Sequence, residues 1–333
     1  MYLMIPLIKY ILWVLLGLAV LLIAYFFVGF ANQAKNMTWG VNFSVKQTEF
    51  LKLDSKETYS AILNDLGAKN IKISVYWDLL EKERGIYDFD ELDWQVKEAE
   101  KNNAKIILAI GMKVPRWPEC HLPTWARDIS KEEQQAEIIM MLQKIVARYK
   151  DSPSLSMWQV ENEAFLQFGA CPWVDEDFFK KEVAFVRAED PNHKIIVTDS
   201  GELSLWFRAS QVGGDLVGFT TYRKVWQQQI KTYIPYFLPA VFYNRRADIV
   251  RNVFKQDVVG TELQAEPWCA NSIMNSSLAE QEKTMNLDQF KKNVEFAKST
   301  GVDTFYFWGA EWWYYMKTVY NNSDIWNEAK KLF

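Results

Sequence analysis

The sequence is poor in the residues that most often bind metals or build disulfide frameworks. Of its 333 residues only two are His and three are Cys. His121 lies beside Cys120, while Cys171 and Cys269 are far along the chain. A Cys3His zinc site therefore remains formally open, but it lacks the paired short spacings that are typical of zinc sites. We favour a disulfide between Cys120 and Cys171, on neighbouring loops, and expect no metal and no cofactor.

An excess of positive charge is also missing. The formal net charge is −4 and the isoelectric point is about 5.5, so the chain has no electrostatic footprint for nucleic acid. No glycine-rich phosphate loop follows an apolar run, which argues against an open nucleotide-binding sheet. Aromatic residues, by contrast, are abundant: 15 Trp are present. A surplus of Trp suits stacking on flat apolar faces such as sugar rings.

One long hydrophobic run is present, near the amino terminus. From Ile11 to Phe30 no charge interrupts twenty residues, enough helix to span a hydrocarbon core of about 30 Å. A cleaved signal peptide has a shorter apolar region before a small-residue site, for which residues 29–31 are a weak candidate. A buried core helix would show a polar face. We therefore predict a retained anchor within residues 1–35, with the large domain exported, or secreted if the segment is cleaved.

The rest of the chain alternates β-rich apolar runs with helical patterns, which indicates a parallel sheet. Eight such units fill residues 36–333, the expectation for a (β/α)8 barrel. Helical patterns lie between the strands, as over Lys131–Tyr149 and Leu287–Ser299. The predicted strands are 38–44, 71–77, 104–112, 155–162, 194–199, 215–222, 257–263 and 303–308.

The carboxyl ends of barrel strands carry the chemistry of this fold. Carboxylates and large aromatic residues gather at these ends, as in a site for a polyhydroxylated ligand. Two of the carboxylates, on strands four and seven, suit a glycosidic bond, which needs one acid and one carboxylate on either side. The strand-end residues are Trp77, Asn162, Glu163, Asp199, Tyr222, Glu262 and Trp308.

Three segments resemble the clan A glycoside hydrolases. The stretch from Trp77 to Phe89, "WDLLEKERGIYDF", is similar to the segment after their second strand. The stretch "WQVENEA" resembles the strand-four motif, closest to family 42 β-galactosidases, and "GTELQAEPW" resembles the strand-seven segment. Trp308 matches a strand-eight Trp that is common in the clan. Families 5 and 39 are similar in the same way.

The resemblance implies a retaining glycosidase acting on an oligo- or polysaccharide. It implies Glu163 as acid/base, Glu262 as nucleophile, Asn162 as a ligand of the sugar 2-hydroxyl and Tyr222 as a donor to the nucleophile. Lys72 stands where the clan commonly has Arg. The positive charge is therefore kept, but the planar guanidinium that can donate two parallel hydrogen bonds is lost.

Several assignments stay open at this point. Glu161 competes with Glu163, since strand alternation puts both on one face, and Glu266 competes with Glu262. The motifs favour Glu163, and Glu262 is favoured because it directly ends its strand. Trp77 and Trp308 are expected to line sugar subsites, whereas Trp117 could equally pack in a core or loop. Glu311 is expected to bind a hydroxyl or to cap a loop.

Two further functions remain as alternatives: a transglycosidase, and a catalytically silent barrel that binds glycans at the cell surface. The short linker between Phe30 and Thr38 also predicts an orientation. Seven residues reach roughly 25 Å at most, so the amino-terminal floor of the barrel should face the bilayer and the mouth should face outward. This expectation assumes that no segment before Thr38 folds across the barrel floor.

Overall fold

The computed structural model describes residues 4–333. Eight parallel strands close into a barrel in the order β1-β2-β3-β4-β5-β6-β9-β10, so the predicted fold class is confirmed. Two further strands, β7 and β8, form an antiparallel hairpin after β6. The strands are β1 Thr38–Phe43, β2 Asn70–Ser74, β3 Lys105–Ile110, β4 Leu155–Val160, β5 Lys194–Asp199, β6 Leu216–Thr221, β7 Lys224–Gln227, β8 Thr232–Pro235, β9 Asp257–Gln264 and β10 Thr304–Trp308.

Helices surround the barrel and one precedes it. Their starts follow the usual side-chain caps: Ser130 and Glu133 form a capping box at one helix, and Asp175 caps the next. The helices are α1 Met4–Phe27, α2 Val45–Phe50, α3 Ser55–Ala61, α4 Trp77–Leu80, α5 Asp90–Lys101, α6 Lys131–Tyr149, α7 Glu176–Glu189, α8 Ala240–Ile249, α9 Leu278–Gln281, α10 Leu287–Ser299, α11 Ala310–Val319 and α12 Asp324–Ala329.

The sequence pattern did not single out α8 and α11. Both helices bury residues on most of their circumference, including Arg246 of α8 and Glu311 of α11. A helix that is buried on several sides loses the one-sided apolar stripe by which amphipathic helices are recognised.

The interior of the barrel is packed, with polar groups only beneath its mouth. Gly40 of β1 makes room for the ring of Tyr306, because a Cβ at this glycine would lie 2.5 Å from that ring. Higher in the barrel, Lys72 of β2 and Gln159 of β4 are fully enclosed and joined by a 3.1 Å hydrogen bond. These two side chains form the floor of the site described below.

The amino-terminal helix is apolar and stands apart from the barrel core. Lys9–Phe27 has a mean hydropathy of 2.5 and none of it is buried, so it is long and apolar enough to cross a membrane; a signal sequence near an amino terminus has the same properties. The segment after it is not a free tether. The ring of Phe27 stacks on Phe242 of α8, and the Ala34 amide donates to the Lys298 carbonyl at 3.0 Å. These contacts hold the end of α1 and the linker after it against the outer helices α8 and α10, and the floor-down orientation stays a prediction.

Candidate active site

A cavity of about 740 Å³ opens at the carboxyl ends of the barrel strands. Its size lies within the range of roughly 300–1,000 Å³ that is usual for ligand sites. Loops after six barrel strands and the last residue of β10 contribute to its wall. The polar and aromatic residues of the wall include Arg116, Trp117, Glu119, Asn162, Glu163, Glu202, Tyr222, Trp226, Glu262, Glu266, Trp268 and Trp308.

Glu163 follows β4 and points into this cavity. Its backbone takes a left-handed φ of 44°, and its amide donates to the Thr198 hydroxyl at 2.9 Å. The Thr220 hydroxyl donates to its carboxylate at 3.0 Å. Burial, followed by the negative charges of Glu262 and Glu119, raises the pKa of Glu163 well above its usual range. This carboxyl therefore holds a proton at a pH where exposed carboxyls have lost theirs.

Glu161, the competitor of Glu163, is directed elsewhere. The strand ends at Val160 and Glu161 has a φ of 56°, so the alternation that left the choice open no longer holds here. The two carboxylate oxygens of Glu161 accept the Met112 and Lys113 amides, each at 2.7 Å. Glu161 thus ties the β4 loop to the β3 loop and lies outside the cavity wall.

Glu262 lies near the carboxyl end of β9, the seventh barrel strand. The Tyr222 hydroxyl donates to its Oε2 at 2.6 Å. Its Oε1 lies 3.5 Å from the Lys72 ammonium, and both side chains are almost fully buried. Burial and the neighbouring Glu262 charge raise the pKa of Tyr222 well above its usual value, so the phenol remains a donor. The negative charge of Glu262 is therefore supported by one cation and one hydroxyl.

Two effects act in opposite directions on the pKa of Lys72. Burial lowers the pKa of its ammonium, while the nearby carboxylates Glu262, Glu163 and Glu119 oppose that change. The ammonium also donates to the Gln159 amide oxygen at 3.1 Å. Lys72 lies below the cavity wall, so it acts on Glu262 from behind.

Asn162 and Glu119 form a pair beside the two glutamates. The Asn162 amide donates to Glu119 Oε2 at 3.2 Å, and Gln159 donates to Asn162 Oδ1 at 3.2 Å. Burial and the charge of Glu262 raise the pKa of Glu119 to about 8. Glu119 was not predicted from the sequence, because it lies in the long loop after β3 and no motif marks it.

Glu266, the competitor of Glu262, is held by an arginine at the cavity wall. Arg116 forms a two-point contact with the Glu266 carboxylate, and its guanidinium lies 3.8 Å from the ring centre of Trp308. Arg116 also lies 3.5 Å from Glu311, which accepts the Ser44 amide at 2.7 Å. Glu311 is thus buried behind the wall as a structural partner of Arg116 and lies outside the set of cavity-lining residues.

Trp77 does not line the cavity, contrary to the expectation that it forms a sugar subsite. Strand β2 ends at Ser74, three residues before the predicted end, and Trp77 begins the short helix α4. Its ring is fully buried, packs edge-on against Trp125 and donates to the Glu81 carboxylate at 2.8 Å. Trp77 is therefore a core residue. Trp308 does line the cavity, as expected, and so do Trp117, Trp226 and Trp268.

The loops that carry Glu119 and Glu163 are linked covalently. Cys120 and Cys171 form the favoured disulfide, which joins the loop after β3 to the loop after β4. Within residues 4–333, no cluster of His, Cys, Asp and Glu has the arrangement of a metal site. His121 is instead packed against the Tyr76 ring and bonded to the Arg116 carbonyl at 3.0 Å.

Proteins of similar sequence include mannosidases and xylanases. Mannan endo-1,4-beta-mannosidase F of Aspergillus fumigatus is 26% identical over 151 residues, which are 41% of this chain and 34% of the relative. Endo-1,4-beta-xylanase 2 of Claviceps purpurea is 26% identical over 145 residues, 41% of this chain and 42% of the relative. The matched segments thus cover about a third to two fifths of these relatives.

Solved structures share the fold at low sequence identity. Xylanase 10B of Thermotoga petrophila superposes with a TM-score of 0.58 at 17% identity, covering 82% of both chains. The endo-beta-1,4-mannanase of Thermotoga petrophila gives a TM-score of 0.56 at 16% identity, covering 83% of this chain and 68% of the other. The resemblance to clan A is confirmed by a family model. The model of cellulases, glycosyl hydrolase family 5, matches residues 32–235, more than half of the chain, and this protein therefore belongs to glycosyl hydrolase family 5.

Proposed function

We propose that this protein hydrolyses a β-glycosidic bond with retention of anomeric configuration, with Glu262 as nucleophile and Glu163 as acid/base. The observation that carries the proposal is the unequal surroundings of the two carboxyls. Glu262 faces the Lys72 ammonium and the Tyr222 hydroxyl, which stabilise a carboxylate. Glu163 is buried next to two other carboxyls, which favours its protonated form. Two carboxyls kept in different protonation states are what double displacement requires.

In the first step, Glu163 transfers its proton to the glycosidic oxygen while the bond from that oxygen to the anomeric carbon breaks. A Glu262 oxygen forms a bond to the same carbon, which gives a covalent glycosyl-enzyme. In the second step, the Glu163 carboxylate takes a proton from water, the water oxygen attacks the anomeric carbon, and the bond to Glu262 breaks. Glu163 ends protonated and Glu262 ionised, as they began.

The neighbouring residues supply binding and orientation. Asn162 is the proposed ligand of the sugar 2-hydroxyl, and its amide is fixed by Gln159 and Glu119. Trp308 lines the cavity although most of its surface is buried. We propose that the part of its ring that Arg116 does not cover contacts a sugar ring. Lys72 contributes through the charge of Glu262 and not through contact with the sugar.

For the substrate we propose the backbone of a β-1,4-linked polysaccharide, a mannan or a xylan. The mannosidase and xylanase names of the relatives support this class, and so do the aromatic residues along the cavity. Incubation with β-1,4-mannan, xylan and cellulose oligosaccharides, followed by analysis of product lengths, tests the proposal. Absence of cleavage in all three, with turnover of an aryl β-galactoside, would assign the site to a different sugar.

The mechanism has a direct stereochemical test. Proton NMR of the first product released from an aryl β-glycoside should show the β anomer before mutarotation. A first-formed α anomer would contradict double displacement and the assignment of Glu262.

Paired variants test the two roles separately. Glu163→Gln should still form the glycosyl-enzyme from substrates with very good leaving groups, because these need no protonation. Glu262→Gln should cleave neither good nor poor leaving groups, because no covalent intermediate forms. Glu161→Gln is the matched control for Glu163, and Glu266→Gln is the matched control for Glu262. If a control variant showed the phenotype of its neighbour, the choice within that pair would be wrong.

We further propose that residues 1–35 are a membrane anchor with its linker, and that residues 36–333 are the exported catalytic domain. The length and hydropathy of Lys9–Phe27 support an anchor. Mass spectrometry of the mature protein tests it: an intact amino-terminal segment in the membrane fraction is expected. A soluble protein that begins after Gly29 would show a cleaved signal.

A further inference from the structure

The end of α1 rests on one particular part of the barrel. The rings of Phe26 and Phe27 lie 5.9 and 5.0 Å from the ring of Phe242 in the first turn of α8. The Tyr25 ring lies 5.0 Å from the Arg245 guanidinium carbon, on the same helix. The apolar helix therefore leaves the domain beside the start of α8.

This contact fixes the height of a bilayer on the domain if α1 crosses it. No residue of Lys9–Phe27 is enclosed by the domain, and the aromatic residues of its last turn are those that touch α8. Tyr and Trp residues at the ends of a membrane helix lie at the interface with water, and Tyr25 is such a residue. The boundary between lipid and water then lies at the first turn of α8.

Exposed apolar side chains lie on two segments that are joined to α8. Phe237, just before α8, is 84% exposed, and Leu203 and Leu205 in the loop after β5 are 67% and 48% exposed. That loop is attached to α8, because Arg246 donates to the Gly201 carbonyl at 2.6 Å and to the Ser204 carbonyl. Single exposed apolar residues are ordinary. Three of them on segments joined to α8, beside which the apolar helix leaves the domain, indicate a shared apolar environment.

Exposed or half-buried basic side chains lie on the segment that contains α8. Of the seven Lys and Arg in residues 216–256, Arg246 is fully buried and Arg251 is paired with Asp257, which leaves Lys231, Arg245 and Lys255 among the cations nearer the surface. Lys231 and Lys255 are exposed, and Arg245 is half-buried beside Tyr25. Basic side chains next to apolar ones fit the anionic headgroups and acyl boundary of a bilayer.

We propose that the surface formed by Leu203, Leu205, Phe237 and the first turn of α8, the anchor-side face, lies in the headgroup layer of the membrane. The inference rests on the proposal that α1 is a membrane anchor. Leu203 also lines the catalytic cavity, so one lip of the cleft sits at the membrane surface. The substrate is therefore a glycan that reaches the bilayer surface, and the barrel lies on its side wall instead of standing on its floor.

Depth measurements on the full-length protein in phosphatidylcholine–phosphatidylglycerol vesicles test this orientation. A Cys269→Ser background leaves the Cys120–Cys171 disulfide intact and allows one spin label per variant. Phe237→Cys and Leu205→Cys report on the anchor-side face. The controls are Leu16→Cys within α1, Asn192→Cys on the barrel floor, and Ile86→Cys, an exposed apolar position in the loop after β2. Strand β2 lies across the barrel from β6. All five positions are exposed, so the labels should leave the fold intact.

The ratio of oxygen to nickel-chelate accessibility gives the result. At Phe237 and Leu205 this ratio should shift towards the value at Leu16, while Ile86 and Asn192 stay aqueous. Lipid contact at Asn192, or aqueous values at both Phe237 and Leu205, would overturn the inference. An aqueous Leu16 would reject the anchor itself and this inference with it, whereas Leu16 in lipid with Phe237 in water rejects the inference alone. None of these readouts depends on activity.

A charge variant provides a second measurement. With the label at Phe237, Lys231→Glu should move the accessibility ratio towards the aqueous value in anionic vesicles. Lys331→Glu in the carboxyl-terminal segment is the matched control and should leave the ratio unchanged. Equal ratios in both variants would show that headgroup attraction does not hold this face on the bilayer.

Discussion

Replacement of Lys72 by Met should disable catalysis through Glu262. The substitution keeps most of the side-chain volume but removes the cation that lies 3.5 Å from the Glu262 carboxylate. At that separation two unit charges attract by about 5 kcal/mol at an effective dielectric constant of about 20. Burial lowers the pKa of Lys72, so desolvation cancels part of this attraction and we take about 3 kcal/mol as the net effect. That value corresponds to a fall in kcat/KM of roughly 150-fold.

The assay is kcat/KM for an aryl β-glycoside with a good leaving group. Lys317→Met is the control, since it removes a cation from Asp65 outside the cavity and should leave kcat/KM unchanged. A Lys72→Met variant that stays folded and keeps kcat/KM within threefold of the value of the parent protein would refute this role.

Three further outcomes follow from the same contacts. Substitution of both Cys120 and Cys171 by Ala should lower the free energy of unfolding by about 4 kcal/mol, because the disulfide restricts the unfolded chain over a separation of 51 residues. Urea titration measures this free energy. Thermal stability should fall as pH rises from about 4.5 towards about 7, because burial raises the pKa of Glu202 and of Glu311 to about 7. Over this range the folded state keeps protons that the unfolded chain releases, which lowers the free energy of unfolding by on the order of 3 kcal/mol per group. A melting temperature that rises over this range would contradict the prediction. Glu119→Gln should move the alkaline limb of kcat/KM to lower pH, because the Glu119 charge contributes to the raised pKa of Glu163; an unmoved limb would exclude that influence.

The strands were predictable because their side chains carry the information locally. Each of the eight predicted segments overlaps a barrel strand, and the segment 194–199 matches β5 in full. Strands buried on both faces appear as continuous apolar runs. Once the strands are known, barrel topology brings their carboxyl ends together, which is why Glu163, Tyr222 and Glu262 could be placed in one cavity before any coordinates.

What the sequence could not predict depends on backbone turns and on loops. The choice between Glu161 and Glu163 depends on left-handed φ values just after β4 and on two amides from a different loop. Trp77 was misplaced because β2 ends three residues earlier than its apolar run. Glu119 reaches Asn162 through a long loop that a disulfide fastens to its neighbour. Such long-range contacts have no periodic signature in the chain.

The central claim, that Glu262 forms a covalent bond to the sugar, has one decisive test. A 2-deoxy-2-fluoro glycoside with a good leaving group should slow the second step more than the first and so accumulate the glycosyl-enzyme. Mass spectrometry of a proteolytic digest should then find the sugar on the peptide that contains Glu262, and fragmentation should distinguish Glu262 from Glu266. A label on Glu266 or Glu163, or turnover with inversion and no labelled peptide, would contradict the account.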